Sequence, residues 1–136
     1  MARASAAERA VTEANAAFYA AFEAGDLDAI EALWDRTERA VCTHPGWGTI
    51  RGWDAIRASF QAILRSGTPG QFIVTSTEVD IAGDVAWVTC DENLWAPDAV
   101  GTVAALNVLV RDPVDRAWRI VAHHGSPVHA HPPEEP

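Results

Sequence analysis

Among the side chains that can transfer a proton, three stand out because each lies in or at the end of an extended run. His44 precedes Pro45-Gly46, Asp91 lies among alternating polar and apolar residues, and His124 is the second of two adjacent histidines before Gly125. Imidazole and carboxylate groups are the usual general acids and bases of proteins. We therefore predict His44, Asp91 and His124 as candidate catalytic residues.

Each of these residues also has a structural interpretation, and the sequence leaves both open. His124 acts as a base or donor if it faces a cavity, and otherwise bonds a neighbouring carboxylate or carbonyl. His44 is held extended by the following proline and could equally anchor the start of a helix. Asp91 gains a raised pKa only if its face of the strand is buried. Alternation puts His123 opposite to His124, so we expect His123 on the outer face.

Aromatic and amide side chains supply a second set of candidates, for ligand binding. Most aromatic residues here fall at helical spacing, which is typical of a core. Tyr19 is the only tyrosine and could donate its hydroxyl. Asn107 interrupts an apolar run and needs a partner, either a ligand or a neighbouring strand. The predicted ligand-binding residues are Tyr19, Trp34, Trp47, Phe60 and Asn107. We predict no metal site, because no spacing requires three ligands to converge, and no cofactor.

The first half of the chain has the periodicity of three helices. An apolar stripe follows Ser5, a predicted N-cap, and ends at Gly25, a predicted C-cap. Asp26 can cap a short second helix that contains Trp34. The predicted elements are a helix at 5–24, the short second helix, a strand at 38–44, a loop at 45–51 and a third helix at 52–66.

The second half alternates with a period of two, which is typical of strands. The predicted strands are 71–82, 85–95, 102–111 and 118–126, and Ala82-Gly83-Asp84 predicts a hairpin between the first two. The run at 102–111 is apolar on both faces, so we expect its outer face to be covered, most simply by a second subunit. The predicted fold class is α+β: three N-terminal helices on a strongly curved, mainly antiparallel sheet, a cone with one pocket.

Composition narrows the class of protein. A chain of 136 residues predicts a single domain, which we place at 1–127, with a flexible tail at 128–136. Ten basic against nineteen acidic residues give a net charge of -9, which argues against nucleic acid and anionic membranes as partners. No signal peptide and no spanning segment of roughly 20 apolar residues is recognised, so we expect a cytoplasmic protein whose two cysteines are buried free thiols.

Four short motifs, in order, resemble one family. They are Gly-Asp-Leu-Asp at 25–28, Cys-Thr-His-Pro-Gly-Trp at 42–47, Gly-Trp-Asp-Ala-Ile at 52–56, and Trp-Arg-Ile-Val-Ala-His-His-Gly-Ser at 118–126. Together with the order of elements over roughly residues 8–127, they resemble the SnoaL-like group of the nuclear transport factor 2-like superfamily, which has a cystatin-like fold. The last strand is also similar to the association domain of calcium/calmodulin-dependent kinase II.

The resemblance implies a homodimer that binds a small apolar molecule in the cone. It also implies two alternatives: a lyase or isomerase that moves a proton on an apolar carbonyl compound, as dehydratases and ketosteroid isomerases do, or a pure oligomerisation module. The tyrosines that polarise a carbonyl in those enzymes have no counterpart here beyond Tyr19. A fold of this kind hosts many functions, so the reaction is not specified by it.

Overall fold

The computed structural model describes residues 4–67, 70–96 and 99–133, and these form three helices and six strands. Helices precede the four long strands, as predicted, which confirms the α+β class. The elements, in chain order, are α1 (Ala6–Ala24), α2 (Leu27–Leu33), β1 (Val41–Thr43), β2 (Ile50–Arg51), α3 (Trp53–Arg65), β3 (Gln71–Ala82), β4 (Val85–Ala96), β5 (Ala99–Arg111) and β6 (Trp118–Pro127).

The helix ends follow the capping residues of the sequence. The Ser5 hydroxyl accepts from the backbone N–H of Glu8 at 3.0 Å, and Gly25 ends α1 with φ of 69°, a left-handed conformation that glycine adopts without strain. Asp26 then accepts from the backbone N–H of Ala29 at 3.0 Å and begins α2. The predicted caps of both helices are confirmed.

The six strands form one open, mixed sheet in the order β2-β1-β6-β5-β4-β3. β3 to β6 are a meander of antiparallel neighbours, whereas β1 runs parallel to β6. The two-residue strand β2 lies within the segment that we predicted as a loop, because so short a pairing leaves no alternation to read. The predicted strand at 38–44 is shorter in the structure, and the one at 102–111 is longer.

Two β-bulges interrupt the alternation of side chains. In β6, Ala122 pairs with Val108 but Ile120 pairs with Leu109, so Val121 is an extra residue with no partner. In β3, the register shifts between Thr75 and Glu78. One extra residue exchanges the faces of everything beyond it and bends the strand, which contributes to the curvature of the sheet.

The helices pack on one face of the sheet, here called the inner face, and the core lies between them. Inner-face residues of β4, β5 and β6 are buried, among them Val88, Leu109 and Ile120, each with no exposed surface. Both cysteines are buried free thiols, as predicted. Among the described residues, no helix combines the length and apolarity needed to cross a membrane. In the part of the chain that the structure describes, no helix lies on the opposite, outer face of the sheet.

Candidate functional site

A cavity of about 280 Å³ lies between the helices and the inner face of the sheet. Its walls come from α1, α3, the loop after β1, and strands β3 to β6. The residues that line it are mostly aromatic or aliphatic, with a few polar side chains: Phe18, Tyr19, Phe22, His44, Pro45, Trp47, Phe60, Ile63, Phe72, Glu92, Leu94, Val103 and His123. Because Trp47 is 46% exposed, it forms the rim of this cavity.

Aromatic rings make up the helical wall of the cavity. The ring centroids of Phe18 and Phe60 are 5.9 Å apart, and those of Phe22 and Phe60 are 6.1 Å apart, both edge to face. Phe22 also meets Phe72 of β3 at 5.4 Å. Helical spacing places Phe18 and Phe22 on one stripe of α1, and such tilted pairs are the arrangement that aromatic quadrupoles favour.

One of the buried polar groups of the cavity is the carboxylate of Glu92, which is only 5% exposed. Tyr19 donates its hydroxyl hydrogen to Glu92 Oε2 at 2.5 Å. Burial raises the pKa of Glu92, and the hydrogen bond from Tyr19 partly offsets that rise. Burial first, and then the neighbouring Glu92 charge, raise the pKa of Tyr19 as well, so the phenol keeps its proton. The pair is therefore a desolvated acid beside a permanent hydrogen-bond donor.

Asn107 connects Tyr19 to two further side chains. Its amide nitrogen donates to Asn15 Oδ1 at 2.8 Å and to the Tyr19 hydroxyl at 3.1 Å. Its amide oxygen accepts from His123 Nδ1. Asn107 itself has no exposed surface, and it lies behind Tyr19 instead of lining the cavity. The predicted ligand-binding residue is thus a buried partner of three others, and it fixes the orientations of Tyr19 and His123.

His123 faces the cavity from β6, with its ring 5.4 Å from that of Phe18. Burial, followed by the nearby His44 and His124, lowers its pKa to about 3. The imidazole is therefore neutral at pH 7. Its Nδ1 hydrogen goes to Asn107, which leaves Nε2 with a lone pair.

His44 lines the cavity from the end of β1, the strand next to β6. Its Nε2 lies 2.8 Å from the hydroxyl of Ser59 on α3, and its ring contacts those of Trp47 and Phe60 at 4.9 Å each. Burial lowers the pKa of His44 to about 4, so this imidazole is neutral too. The bond anchors the loop to the middle of α3, not to its start as the structural alternative expected, and the ring still lines the cavity.

The structure divides the three predicted catalytic residues between two faces. His44 lines the cavity, but Asp91 and His124 lie on the outer face, beside a shallow depression of about 330 Å³ with Ser76 and Ser126. The expectation that His124 faces the cavity and His123 faces outward was wrong. The bulge at Val121 reverses the alternation on which that expectation depended.

The predicted ligand-binding residues are divided as well. Tyr19, Trp47 and Phe60 line the cavity. Trp34 does not: it is wholly buried, and its ring packs against those of Phe18, Trp53 and Phe60, with centroids 5.8 to 6.3 Å apart. It is a core residue because Trp34 follows the last residue of α2 and forms a β-bridge with Ile120 of β6.

Four polar residues around the cavity were missed by the sequence analysis: Asn15, Ser59, Glu92 and His123. Two of them carried a signal. Asn15 falls on the same helical stripe as Val11 and Phe18, and Glu92 has the parity of Val88 and Cys90. A polar residue at a core position needs a partner there. Among the described residues, no three His, Cys, Asp or Glu side chains come together as a metal site.

Comparison with known proteins gives a consistent family. The model of the SnoaL-like domain matches residues 11–130. No curated protein matches the sequence. A candidate dehydratase of the NTF2-like family from Streptomyces avermitilis is 34% identical, with a TM-score of 0.82 over 90% of this chain and 96% of that one.

Two further solved structures share the fold. A candidate calcium/calmodulin-dependent protein kinase type II association domain from Thiobacillus denitrificans is 29% identical, with a TM-score of 0.76 over 85% of this chain and 93% of that one. A candidate ketosteroid isomerase from Parabacteroides distasonis is 21% identical, with a TM-score of 0.73 over 88% and 86%. The motifs, the open α+β sheet and the match over residues 11–130 agree, and the chain belongs to the SnoaL-like domain family of NTF2-like proteins.

Proposed function

We propose that this protein binds a small, mainly apolar molecule in the cavity between the helices and the inner face of the sheet. The observation that carries the proposal is an aromatic cavity whose few polar side chains lie at its deep end. Glu92, His44 and His123 are all buried, whereas Trp47 and Pro45 at the rim are exposed. Such an arrangement holds the apolar body of a ligand and orients one polar group.

The size of the cavity limits the ligand. A cavity of about 150 Å³ holds a benzene ring, and this one measures about 280 Å³. The ligand therefore has a body of roughly two rings. Transfer of its apolar surface out of water contributes roughly 25 cal/mol per Å².

The direct test is calorimetric titration with naphthalene, a neutral body of two rings. We expect saturable binding to the unmodified protein. Val103→Trp, which directs an indole into the cavity from β5, should abolish it. Val114→Trp is the matched control, since Val114 is 89% exposed. Binding that survives V103W would place the ligand elsewhere and contradict the proposal.

A second candidate function is proton transfer, as a lyase or isomerase on an apolar carbonyl compound. It is favoured by the raised pKa of Glu92 in an apolar cavity, which suits a group that takes up and releases a proton near neutral pH. The Streptomyces avermitilis protein, named as a candidate dehydratase, points the same way. Of the three predicted catalytic residues, His44 would act beside Glu92, and the roles of Asp91 and His124 stay predictions for the outer face.

Proton transfer has its own test. Glu92 would take a proton from the carbon next to the carbonyl of 1-tetralone and return one from solvent. Proton NMR in heavy water should then show loss of the α-hydrogen signal faster than in buffer. Glu92→Gln should remove the acceleration, and Glu78→Gln, an exposed change on β3, should leave it. Equal rates with and without protein would rule out this reaction for that ketone.

We also propose that the protein is a homodimer that packs outer face against outer face. Large apolar side chains support it: Trp87 is 39% exposed, Leu106 41% and Trp95 66%. Large apolar side chains exposed on one face of a sheet are typical of an interface. Sedimentation equilibrium should give twice the chain mass of 14.6 kDa. Leu106→Asp should give the monomer, because it buries a charge in the interface.

The third alternative, a pure oligomerisation module, is separated from the first by these same two experiments. A dimer or larger assembly that binds no compound in its cavity would favour the module, as in the named kinase association domain. Binding of naphthalene that V103W abolishes would favour the ligand-binding function, whatever the size of the assembly.

A further inference from the structure

The hydrogen bonds among the polar side chains of the cavity use up their donor hydrogens and leave acceptors free, so a ligand has to supply the donor. Asn107 uses both amide hydrogens, on Asn15 and Tyr19, and Tyr19 uses its own on Glu92. Asn107 accepts from His123 Nδ1. Two acceptors of this network therefore remain for a ligand: the second oxygen of the Glu92 carboxylate and Nε2 of His123.

His44 adds no donor to the cavity. The Ser59 hydroxyl donates to the carbonyl of Ile56 at 2.6 Å, so at 2.8 Å it receives the Nε2 hydrogen of His44. The neutral imidazole has no second hydrogen. None of the three polar groups at the deep end, Glu92, His123 or His44, is thus set to donate a hydrogen bond to a ligand.

Charge points to the same kind of ligand. Among the described residues that line the cavity, Glu92 is the one acidic residue and none is Lys or Arg, and the ion pairs of the described residues do not include Glu92. A buried carboxylate is stable as an anion only beside a cation. Five aromatic residues also line the cavity, and the negative faces of aromatic rings attract organic cations: Phe18, Phe22, Trp47, Phe60 and Phe72.

We propose that the polar group of the ligand is a protonated amine, carried on an apolar body of roughly two rings. This inference rests on the proposed function of the cavity. The ammonium N–H groups would donate to Glu92 and to Nε2 of His123, and the aromatic rings would surround the charge. A carboxylate ligand would meet the negative charge of Glu92. A carbonyl ligand would meet two acceptors, unless Glu92 were protonated.

The test compares four compounds with one naphthalene body and different polar groups. They are 1-naphthylmethylamine, a cation; 1-naphthalenemethanol, a neutral donor; 1-acetonaphthone, an acceptor; and 1-naphthoate, an anion. Calorimetric titration at pH 7 should rank the amine first. A charge-assisted hydrogen bond predicts that the amine binds roughly tenfold or more tightly than the alcohol, with the ketone and the anion weaker still.

Substitution of the carboxylate isolates the charge. Glu92→Gln keeps the shape and should bring the affinity for the amine to that of the alcohol. Glu78→Gln, the matched change on the outer face, should keep the preference for the amine. Circular dichroism and a thermal melt check the fold of both variants. If E92Q does not fold, the ranking of the four compounds on the unmodified protein decides the question alone.

The outcomes separate this inference from the proposed function. Equal affinity for amine and alcohol, or tightest binding of the ketone or the naphthoate, would overturn the amine and leave the cavity as a binding site. An amine preference that persists in E92Q would overturn it too. Failure of all four compounds and of naphthalene itself would overturn both.

Discussion

Asp91 and Glu92 are neighbours in β4, and His123 and His124 are neighbours in β6, yet each pair is divided between the two faces of the sheet. Glu92 and His123 line the inner cavity, where burial raises the pKa of Glu92 and lowers that of His123, so that both shifts favour the neutral form. Asp91 and His124 line a solvent-accessible depression on the outer face. The surroundings, not the residue type, therefore decide which of two adjacent side chains is a candidate for chemistry.

Low pH should give the largest difference between the two faces, because protonation of the buried histidines lowers the free energy of unfolding. Folding depresses the pKa of His123 to about 3 and of His44 to about 4, from 6.5. The unfolded chain then binds more protons below pH 6.5, so stability falls as the pH falls. Between pH 6.5 and 4.5 each histidine should cost about 2 kcal/mol of unfolding free energy.

Urea unfolding at several pH values checks this. His123→Gln should remove about half of the acid loss, and His124→Gln should leave it in place, because His124 is exposed. A loss that disappears with H124Q instead would mean that the second histidine faces the core.

Two asparagines give the next comparison, since each makes three hydrogen bonds through its side chain. Asn107 is wholly buried and bonds Asn15, Tyr19 and His123. Asn93, on the outer face, bonds Ile73, Thr75 and Thr102.

Asn107→Ala should cost about 3 kcal/mol, because its partners are left unpaired away from water. Asn93→Ala should cost about 1 kcal/mol or less, because water replaces the amide. Denaturant titrations of the two variants measure the difference, and equal losses would mean that water reaches the inner network.

A glycine of β6 tests how closely the loop after β1 packs. A Cβ at Gly125 would lie 3.0 Å from Val103 Cγ1 and 3.2 Å from Pro45 Cγ. Gly125→Ala should therefore cost about 1–2 kcal/mol and shift the rim of the cavity. Gly101→Ala on β5 is the control, with no atom within 4 Å of the added methyl group. A thermal melt of each variant suffices, and a neutral G125A would show that the rim yields freely.

The last comparison is between Glu92 and its neighbour Asp91. Folding raises its pKa, so the folded chain holds the proton more tightly, and stability falls as the pH rises above 4.5. Unfolding free energies of the unmodified protein and of Glu92→Gln should therefore diverge with rising pH, by at most about 1.4 kcal/mol per unit, the limit for one proton. Asp91→Asn should run parallel to the unmodified protein. A Glu92→Gln curve of the same slope would show that Glu92 ionises freely when folded.

Most of the fold could be predicted from local chemistry. Ser5, Gly25 and Asp26 mark helix ends because capping needs only neighbouring backbone groups. Period-two runs mark the four long strands. The short strand β2 could not be predicted, because two residues carry no period.

The cavity was harder to predict than the fold. His44, Tyr19, Trp47 and Phe60 were found because position next to proline, rarity or aromatic character singles them out. Glu92 and His123 were missed because their faces depend on pairing between distant strands. Trp34 was misplaced because an aromatic stripe does not show which rings meet a cavity and which meet each other.

Val121, the bulge residue of β6, sets the faces of the two histidines that follow it. This one unpaired residue puts His123 inside and His124 outside. Deletion of Val121 would remove the bulge and keep both flanking pairings, so each imidazole would stay on its present face. Pairing Val121 into a regular strand would instead exchange the two imidazoles. An alignment that ignores the bulge would assign the role of one histidine to the other, so residue roles should be transferred between relatives only after the strand pairings have been matched.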